Sequence, residues 1–173
     1  MYLISVYFDN NTNKVLNRYI TKLAECTGNT FMTDNNVPPH LTISAIEAKS
    51  VDVLIPSFES LKERLIGGEI NIASVGQLFP GVIYVSPVLN RYLQDIMDIV
   101  YDEFKGIDET MVSRYYQPYS WLPHITIGKQ LDKEQMQSAF ACLQESFGPM
   151  KARVCKIALS KVNPHEDVIV FDI

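Results

Sequence analysis

Apolar residues in this chain form alternating strand-like runs and helical stripes. Residues 2–8 are rich in β-branched and aromatic types, which predicts a buried strand. An apolar stripe at helical spacing follows, and Gly28 is placed to end that helix. A polar loop is predicted over 29–38, leading into a strand over 39–46. The helical stripe consists of Val15, Leu16, Tyr19, Ile20 and Leu23.

A second helix completes the first half of the chain. Ser50 is a candidate N-cap for an apolar stripe that extends to Leu65. Pro56 lies inside this stripe, so an irregular first turn or a kink is expected. Strands are then predicted over 69–76 and 82–86, joined by a turn at Phe79-Pro80-Gly81.

The remaining elements repeat the order of the first half. Asp132 and Gln135 resemble a capping box for a helix with an apolar stripe of Met136, Phe140, Leu143 and Phe147. The other predicted segments are a helix over 88–105, a long loop over 106–120, a strand over 121–128, and closing strands over 152–162 and 167–172 around a turn at 163–166.

Each half therefore runs strand, helix, strand, helix, strand, as expected for a duplicated unit whose halves pack about a pseudo-twofold axis. No linker, low-complexity segment or charge block separates the halves. We therefore expect a single domain over 1–173, with one lobe of roughly 1–78 plus part of the C-terminal strands and a second lobe of 79–173.

A short motif recurs in equivalent strands of the two halves. It reads Pro39-His40-Leu41-Thr42-Ile43 in the first copy and Pro123-His124-Ile125-Thr126-Ile127 in the second. Successive side chains of a strand point to opposite faces, so each histidine shares a face with the threonine two residues later. The chain has only three histidines, and two of them occupy these matched positions.

Two histidines on opposite sides of a groove suit phosphodiester hydrolysis. One imidazole takes a proton from water and the other protonates the departing oxygen, since an unperturbed imidazole has a pKa of about 6.5. The hydroxyls of Thr42 and Thr126 can donate hydrogen bonds to non-bridging phosphate oxygens. This chemistry requires no metal and no other cofactor.

The paired His-x-Thr strands resemble those of the 2H phosphoesterase superfamily, and within it the bacterial 2′-5′ RNA ligases or RNA 2′,3′-cyclic phosphodiesterases. The resemblance covers the whole length through element order and spacing. It implies a two-lobed α+β fold of mostly antiparallel sheets, with helices outside and a central cleft. It also implies metal-independent hydrolysis of a 2′,3′-cyclic phosphate or related 2′-linked ester, with His40 and His124 as acid and base and Thr42 and Thr126 on the phosphate.

Charge and cysteine content narrow the partners and the compartment. A net charge of −5 argues against extended binding to a nucleic-acid duplex, but is compatible with a nucleotide or an RNA end. The amino terminus is typical of a strand rather than a signal peptide, and no apolar run approaches a membrane span. Three widely spaced cysteines predict reduced thiols rather than a disulfide framework or zinc site. We therefore expect a cytoplasmic monomer.

Further residues are weaker candidates for contacts with the substrate. Lys129 could neutralise a phosphate, and Tyr84 could face the cleft. Tyr119 belongs to an aromatic cluster before the second motif, formed by Tyr115, Tyr116, Tyr119 and Trp121, which either stacks on a nucleobase or packs a long loop. His165 is expected in a surface turn.

Two alternatives to a metal-independent enzyme remain open. The first is a nucleotide-binding module of the same fold with little catalysis. The second is a metal-dependent hydrolase that uses His40, His124 and His165.

Overall fold

A computed structural model describes residues 1–162 and 164–173. These residues form the predicted α+β fold, with an eight-stranded antiparallel sheet and five α-helices. The strands are β1 Tyr2–Phe8, β2 His40–Ala48, β3 Gly68–Leu78, β4 Val82–Pro87, β5 Thr110–Val112, β6 Ile125–Gly128, β7 Met150–Lys161 and β8 Glu166–Asp172. The helices are α1 Asn10–Thr27, α2 Phe31–Asp34, α3 Ile55–Ser60, α4 Arg91–Phe104 and α5 Lys133–Ser146.

Two long strands connect the halves of the chain. The strand order is β5-β2-β1-β7-β3-β4-β6, and β8 pairs with β7. β3 and β7 pair through their first residues, from Gly68 opposite Val154 to Ile72 opposite Met150. Beyond this segment β3 pairs with β4, whereas β7 pairs with β1 and β8. The division into lobes at residue 78 stays a prediction, and a continuous hydrogen-bonded ladder crosses it.

The helices begin and end where local sequence signals place them. Asp9 caps α1 by accepting a hydrogen bond from the Thr12 N–H at 2.9 Å, and Gly28 ends that helix in the left-handed conformation at φ 69°. The predicted capping box of α5, between Asp132 and Gln135, is present. Pro56 lies in the first turn of α3, after a 3-10 turn that Ser50 caps, which is the irregularity expected there.

Helices of each half also contact strands of the other half. α1 packs against β6 and α5, and α4 packs against β2 and β3. Leu16 and Ile20 of α1 and Val100 and Phe104 of α4 are buried in one continuous apolar core. The helices thereby bring β2 and β6 close together, although these two strands do not pair with each other.

Both predicted loops contain regular structure. The loop expected over 29–38 includes α2, whose Met32 is buried. The loop expected over 106–120 includes β5, which pairs with the end of β2 from Ile46 to Ala48. Neither element is long enough to show a periodic pattern. Each instead depends on contacts with residues distant in sequence.

Two predicted details of the second half are wrong. The second motif strand begins at Ile125 rather than at residue 121. The reason is that Pro123, within the predicted range, has no N–H for a ladder hydrogen bond. Phe140 of α5 is 37% exposed, although it belonged to the predicted apolar stripe. The helix instead buries Ala139 and Cys142, because its contacts are with α1.

The prediction of reduced thiols is wrong for two of the three cysteines. Cys26 of α1 and Cys142 of α5 form a disulfide, with a Cα–Cα distance of 6.5 Å. Cys155 is free. The paired residues are 116 positions apart in sequence, and only the packing of α1 on α5 brings them together. Among the described residues, no helix has both the length and the apolar character needed to cross a membrane.

Candidate active site

The two histidines of the repeated motif have the same local geometry. Nδ1 of His40 is 2.8 Å from the carbonyl oxygen of Pro38, and Nδ1 of His124 is 2.9 Å from that of Leu122. A carbonyl oxygen only accepts hydrogen bonds, so Nδ1 carries a proton in both rings. Each neutral imidazole therefore has its lone pair on Nε2, and each protonated one has an N–H there.

A tyrosine ring lies against each of these histidines. Tyr84 approaches His124 at a centroid distance of 5.4 Å with an interplanar angle of 61°, and Tyr7 approaches His40 at 6.3 Å and 86°. Tyr7 pairs with His40 across β1 and β2. Tyr84 pairs instead with Thr126 across β4 and β6, so the two tyrosines do not occupy equivalent positions. Both tyrosines restrict the space available to the neighbouring imidazole.

A cavity of about 230 Å³ joins residues of both motifs. His40 of the first motif and Thr126 of the second line it, together with Lys129 and His165. The remaining lining residues are mostly apolar: Leu3, Phe31, Met32, Asn35, Val37, Val162 and Pro164. Thr42 and His124 are not among the described residues that line the cavity. It therefore lies on the His40 side of the site.

His40 is electrostatically biased toward its neutral form. Burial is the main cause that lowers the pKa of His40 below its ordinary value. The charges of His165 and His124 lower this pKa further. The hydrogen bond to Pro38 and the charge of Asp167 act in the opposite direction. His165 and His124 are thus close enough to influence the protonation of His40.

The two motif threonines differ in their surroundings. Thr42 is 8% exposed, and Ser5 Oγ lies 3.4 Å from its hydroxyl. Tyr116 is close to the same hydroxyl, and burial raises the pKa of this tyrosine. Thr126 is half-buried and lines the cavity. The pseudo-symmetry of the sequence motif therefore does not extend to the immediate environment of the hydroxyls.

The structure separates the weaker candidates for substrate contact. Lys129 lines the cavity, with Nζ 5.7 Å from the ring centroid of Phe31. Tyr84 is buried beside His124. Tyr119 is 84% exposed and is not among the described residues that line the cavity. Trp121, from the same aromatic cluster, is buried in the core, which favours the packing interpretation for that residue.

Sequence reasoning missed Phe31 as a residue of the site and gave His165 a role there only in the metal-dependent alternative. His165 was expected in a surface turn, but it is half-buried, lines the cavity and stacks on His40. Phe31 belongs to the short helix that sequence reasoning treated as a polar loop. Neither residue has a motif around it. Only the pairing of β7 with β8 and the packing of α2 against α1 and β6 place them here.

Comparison with known families decides the membership of the chain. The family model described as the 2′-5′ RNA ligase superfamily matches residues 14–166. The chain belongs to this superfamily. The resemblance to 2H phosphoesterases drawn from the two His-x-Thr motifs is thereby confirmed. A member of the 2′-5′ RNA ligase superfamily is expected to act as a phosphoesterase or a ligase. No curated protein matches the sequence.

Solved structures share the fold of this superfamily member along nearly its whole length. The crystal structure of E. coli LigT complexed with 3′-AMP is 13% identical, with a TM-score of 0.66, and covers 99% of this chain and 97% of its own. A structure described as a phosphoesterase is 12% identical, with the same score and coverage. Usb1 from Kluyveromyces marxianus is 10% identical, with a TM-score of 0.51 and again 99% and 97% coverage. At these identities the similarity establishes the fold.

Proposed function

We propose that this protein is a metal-independent phosphodiesterase that hydrolyses a 2′,3′-cyclic phosphate, or a related 2′-linked phosphodiester, of RNA ends or small nucleotides. The observation that carries the proposal is that His40 and Thr126, from different motifs, line one cavity. Residues from both halves of a duplicated sequence thus face the same space. A site between the halves is what paired acid–base catalysis requires.

The proposed reaction uses Nε2 of both motif histidines. A neutral imidazole removes a proton from water as the water oxygen bonds to phosphorus. The bond from phosphorus to one ribose oxygen breaks, and the protonated imidazole donates its proton to that oxygen. The product is a phosphomonoester and a free hydroxyl. Because Nδ1 of His40 and of His124 donates to a backbone carbonyl, Nε2 is the nitrogen left for these transfers.

In this proposal the two threonines bind the phosphate. The hydroxyls of Thr42 and Thr126 donate to the non-bridging oxygens, where negative charge increases as water adds. Lys129 neutralises part of that charge from the edge of the cavity. Among the described residues, no three His, Cys, Asp or Glu side chains form a group that could hold a metal ion. The metal-dependent alternative with His40, His124 and His165 therefore has no support from the arrangement of these side chains.

The apolar walls of the cavity support a nucleotide as the substrate. Phe31 and Met32 provide surfaces suited to a base or ribose next to the phosphate. Structures of E. coli LigT contain 3′-AMP and ATP, and we extend this nucleotide class to the present chain. A net charge of −5 favours a mononucleotide or an RNA end over a long polyanion. We propose that the protein acts in RNA processing as a cytoplasmic monomer. Its Cys26–Cys142 disulfide is unusual for that compartment, where thiols are mostly reduced.

Incubation with a 2′,3′-cyclic nucleotide in the presence of EDTA tests this function. We expect turnover to a nucleoside monophosphate by the unmodified protein. His40→Asn and His124→Asn keep a side-chain N–H for the backbone carbonyl but remove Nε2. Each should lower kcat by about 10²–10⁴-fold, the typical contribution of a general acid or base. Glu59→Gln, an exposed change in α3, is the matched control and should retain full activity.

Three results would contradict the proposal. These are absence of turnover for all cyclic nucleotides and 2′-linked dinucleotides, loss of turnover in EDTA, or full activity of both asparagine variants. Nucleotide binding by calorimetry without any hydrolysis would instead identify a binding module of the same fold.

A further inference from the structure

The third histidine of the chain stacks on one histidine of the repeated motif. The rings of His165 and His40 have a centroid distance of 5.6 Å and an interplanar angle of 19°. His165 lines the cavity and lies in the connection between β7 and β8, immediately before β8. No equivalent ring stacks face to face on His124 among the described residues, where the neighbouring ring is that of Tyr84 at a steep angle. The two motif histidines are therefore not equivalent.

A polar network holds His165 in this position. Its Nε2 lies 3.1 Å from the Tyr7 hydroxyl and 3.4 Å from Oδ1 of Asp167. The Tyr7 hydroxyl donates to the same carboxylate oxygen at 2.7 Å, and the Ser160 hydroxyl donates to it at 2.6 Å. Since the Tyr7 proton is used on Asp167, the tyrosine oxygen is free to accept from the Nε2–H of His165.

We propose that His165 is a positioning residue for His40. His165 keeps His40 as the neutral base and leaves His124 as the acid, and so gives the two motif histidines different roles. The inference rests on the proposed function for its catalytic part. The Tyr7–Asp167–Ser160 network sets the orientation of His165, and the stacked ring then limits rotation of His40 away from the position in which Nε2 serves as a base. A proton on His165 also opposes a second proton on His40, because like charges at this distance repel.

All titratable or charged groups facing His40 enter this balance. Tyr7 faces it from β1, and burial together with Asp167 raises the pKa of this phenol, so it stays neutral at working pH. His124 opposes a proton on His40 from the second motif, and Asp167 of β8 favours one. Lys129 adds a positive charge at the cavity they share. The effect of burial and of the neighbouring imidazoles exceeds that of Asp167, so the pKa of His40 is lowered.

Three histidines per chain make a direct test practical. NMR titration of the imidazole Cε1–H signals, assigned with single-histidine variants, should show a pKa for His40 below its ordinary value. His165→Gln removes the ionisable imidazole but keeps a polar side chain beside Tyr7. We expect it to raise the pKa of His40. Glu166→Gln, which removes a carboxylate from the exposed pair with Lys161 on the same hairpin, is the control and should leave the titration of His40 unchanged.

Kinetics provide a readout that a purely structural role would not change. The acidic limb of kcat/KM should follow the pKa of His40 and move to higher pH in His165→Gln by the same amount. His165→Phe keeps a stacked ring and should retain more of kcat than His165→Ala. An unchanged His40 titration in His165→Gln, or an acidic limb that follows His124, would overturn the proposal. If the unmodified protein has no activity, the proposed function fails, and the NMR titration still decides whether His165 controls His40.

Discussion

Gly76 and Tyr84 face each other across β3 and β4, and the tyrosine ring fills the space that a side chain at Gly76 would need. A Cβ at this glycine would lie within 2.4 Å of the Tyr84 hydroxyl oxygen. The absence of a side chain at Gly76 thus leaves room for the Tyr84 ring over β3. From this position its ring reaches the imidazole of His124.

Gly76→Ala is expected to displace Tyr84 and, through it, His124. If the proposed function is correct, kcat should fall by roughly tenfold or more, since small misplacements of catalytic groups are costly. Gly106→Ala is the matched control, because a Cβ there meets no atom within 4 Å. Steady-state kinetics and circular dichroism of both variants make the test. Equal activity of the two alanine variants would show that the position of Tyr84 does not matter for His124.

Thr126→Val should reduce kcat with little effect on the fold. The change replaces a hydroxyl by a methyl group of similar size at a half-buried position. Loss of one donor to an oxyanion typically costs about 10²–10³-fold in kcat. Thr126→Ser keeps the hydroxyl and is the control, with most of the activity expected to remain. If the valine variant is as active as the serine variant, this hydroxyl does not bind the developing charge.

Lys129→Met should weaken substrate binding more than it slows chemistry. The residue lines the cavity with its ammonium group above the Phe31 ring. It therefore contacts the substrate phosphate during binding rather than the atoms whose bonds change. We expect KM to rise several-fold, and the salt dependence of kcat/KM to become weaker.

Tyr119→Ala tests the exposed aromatic cluster by the same assay. A rise in KM there would support base stacking, and no change would favour the packing interpretation for Tyr119.

Reduction of the Cys26–Cys142 disulfide should lower stability. The bond connects residues 116 positions apart, and a disulfide that closes a long loop typically contributes about 2–4 kcal/mol to the free energy of unfolding. Urea unfolding should give a lower free energy of unfolding with reductant than without it for the unmodified protein. In Cys142→Ser, reductant should leave the free energy of unfolding unchanged. Cys155→Ser leaves the pair intact and should retain the full response to reductant. Identical midpoints with and without reductant would contradict a stabilising role.

The sequence by itself determined the α+β class and most element types. Apolar periodicity and caps such as Ser50 and Asp132 are local signals, and the structure confirms both caps. The duplicated Pro-His-x-Thr-Ile strands also indicated the superfamily from residues alone. These properties could be predicted because each depends on side chains within one helical turn or one strand.

Only the tertiary structure decided which residues surround the motifs. α2 and β5 have too few residues for a periodic signal and form because distant strands and the core stabilise them. The disulfide depends on the packing of two helices that are separated by most of the sequence. His165 lies next to His40 because β7 pairs with β1 and returns through β8. Long-range pairing of this kind leaves no mark on local sequence, so the two motif histidines look alike in sequence and differ in the folded protein.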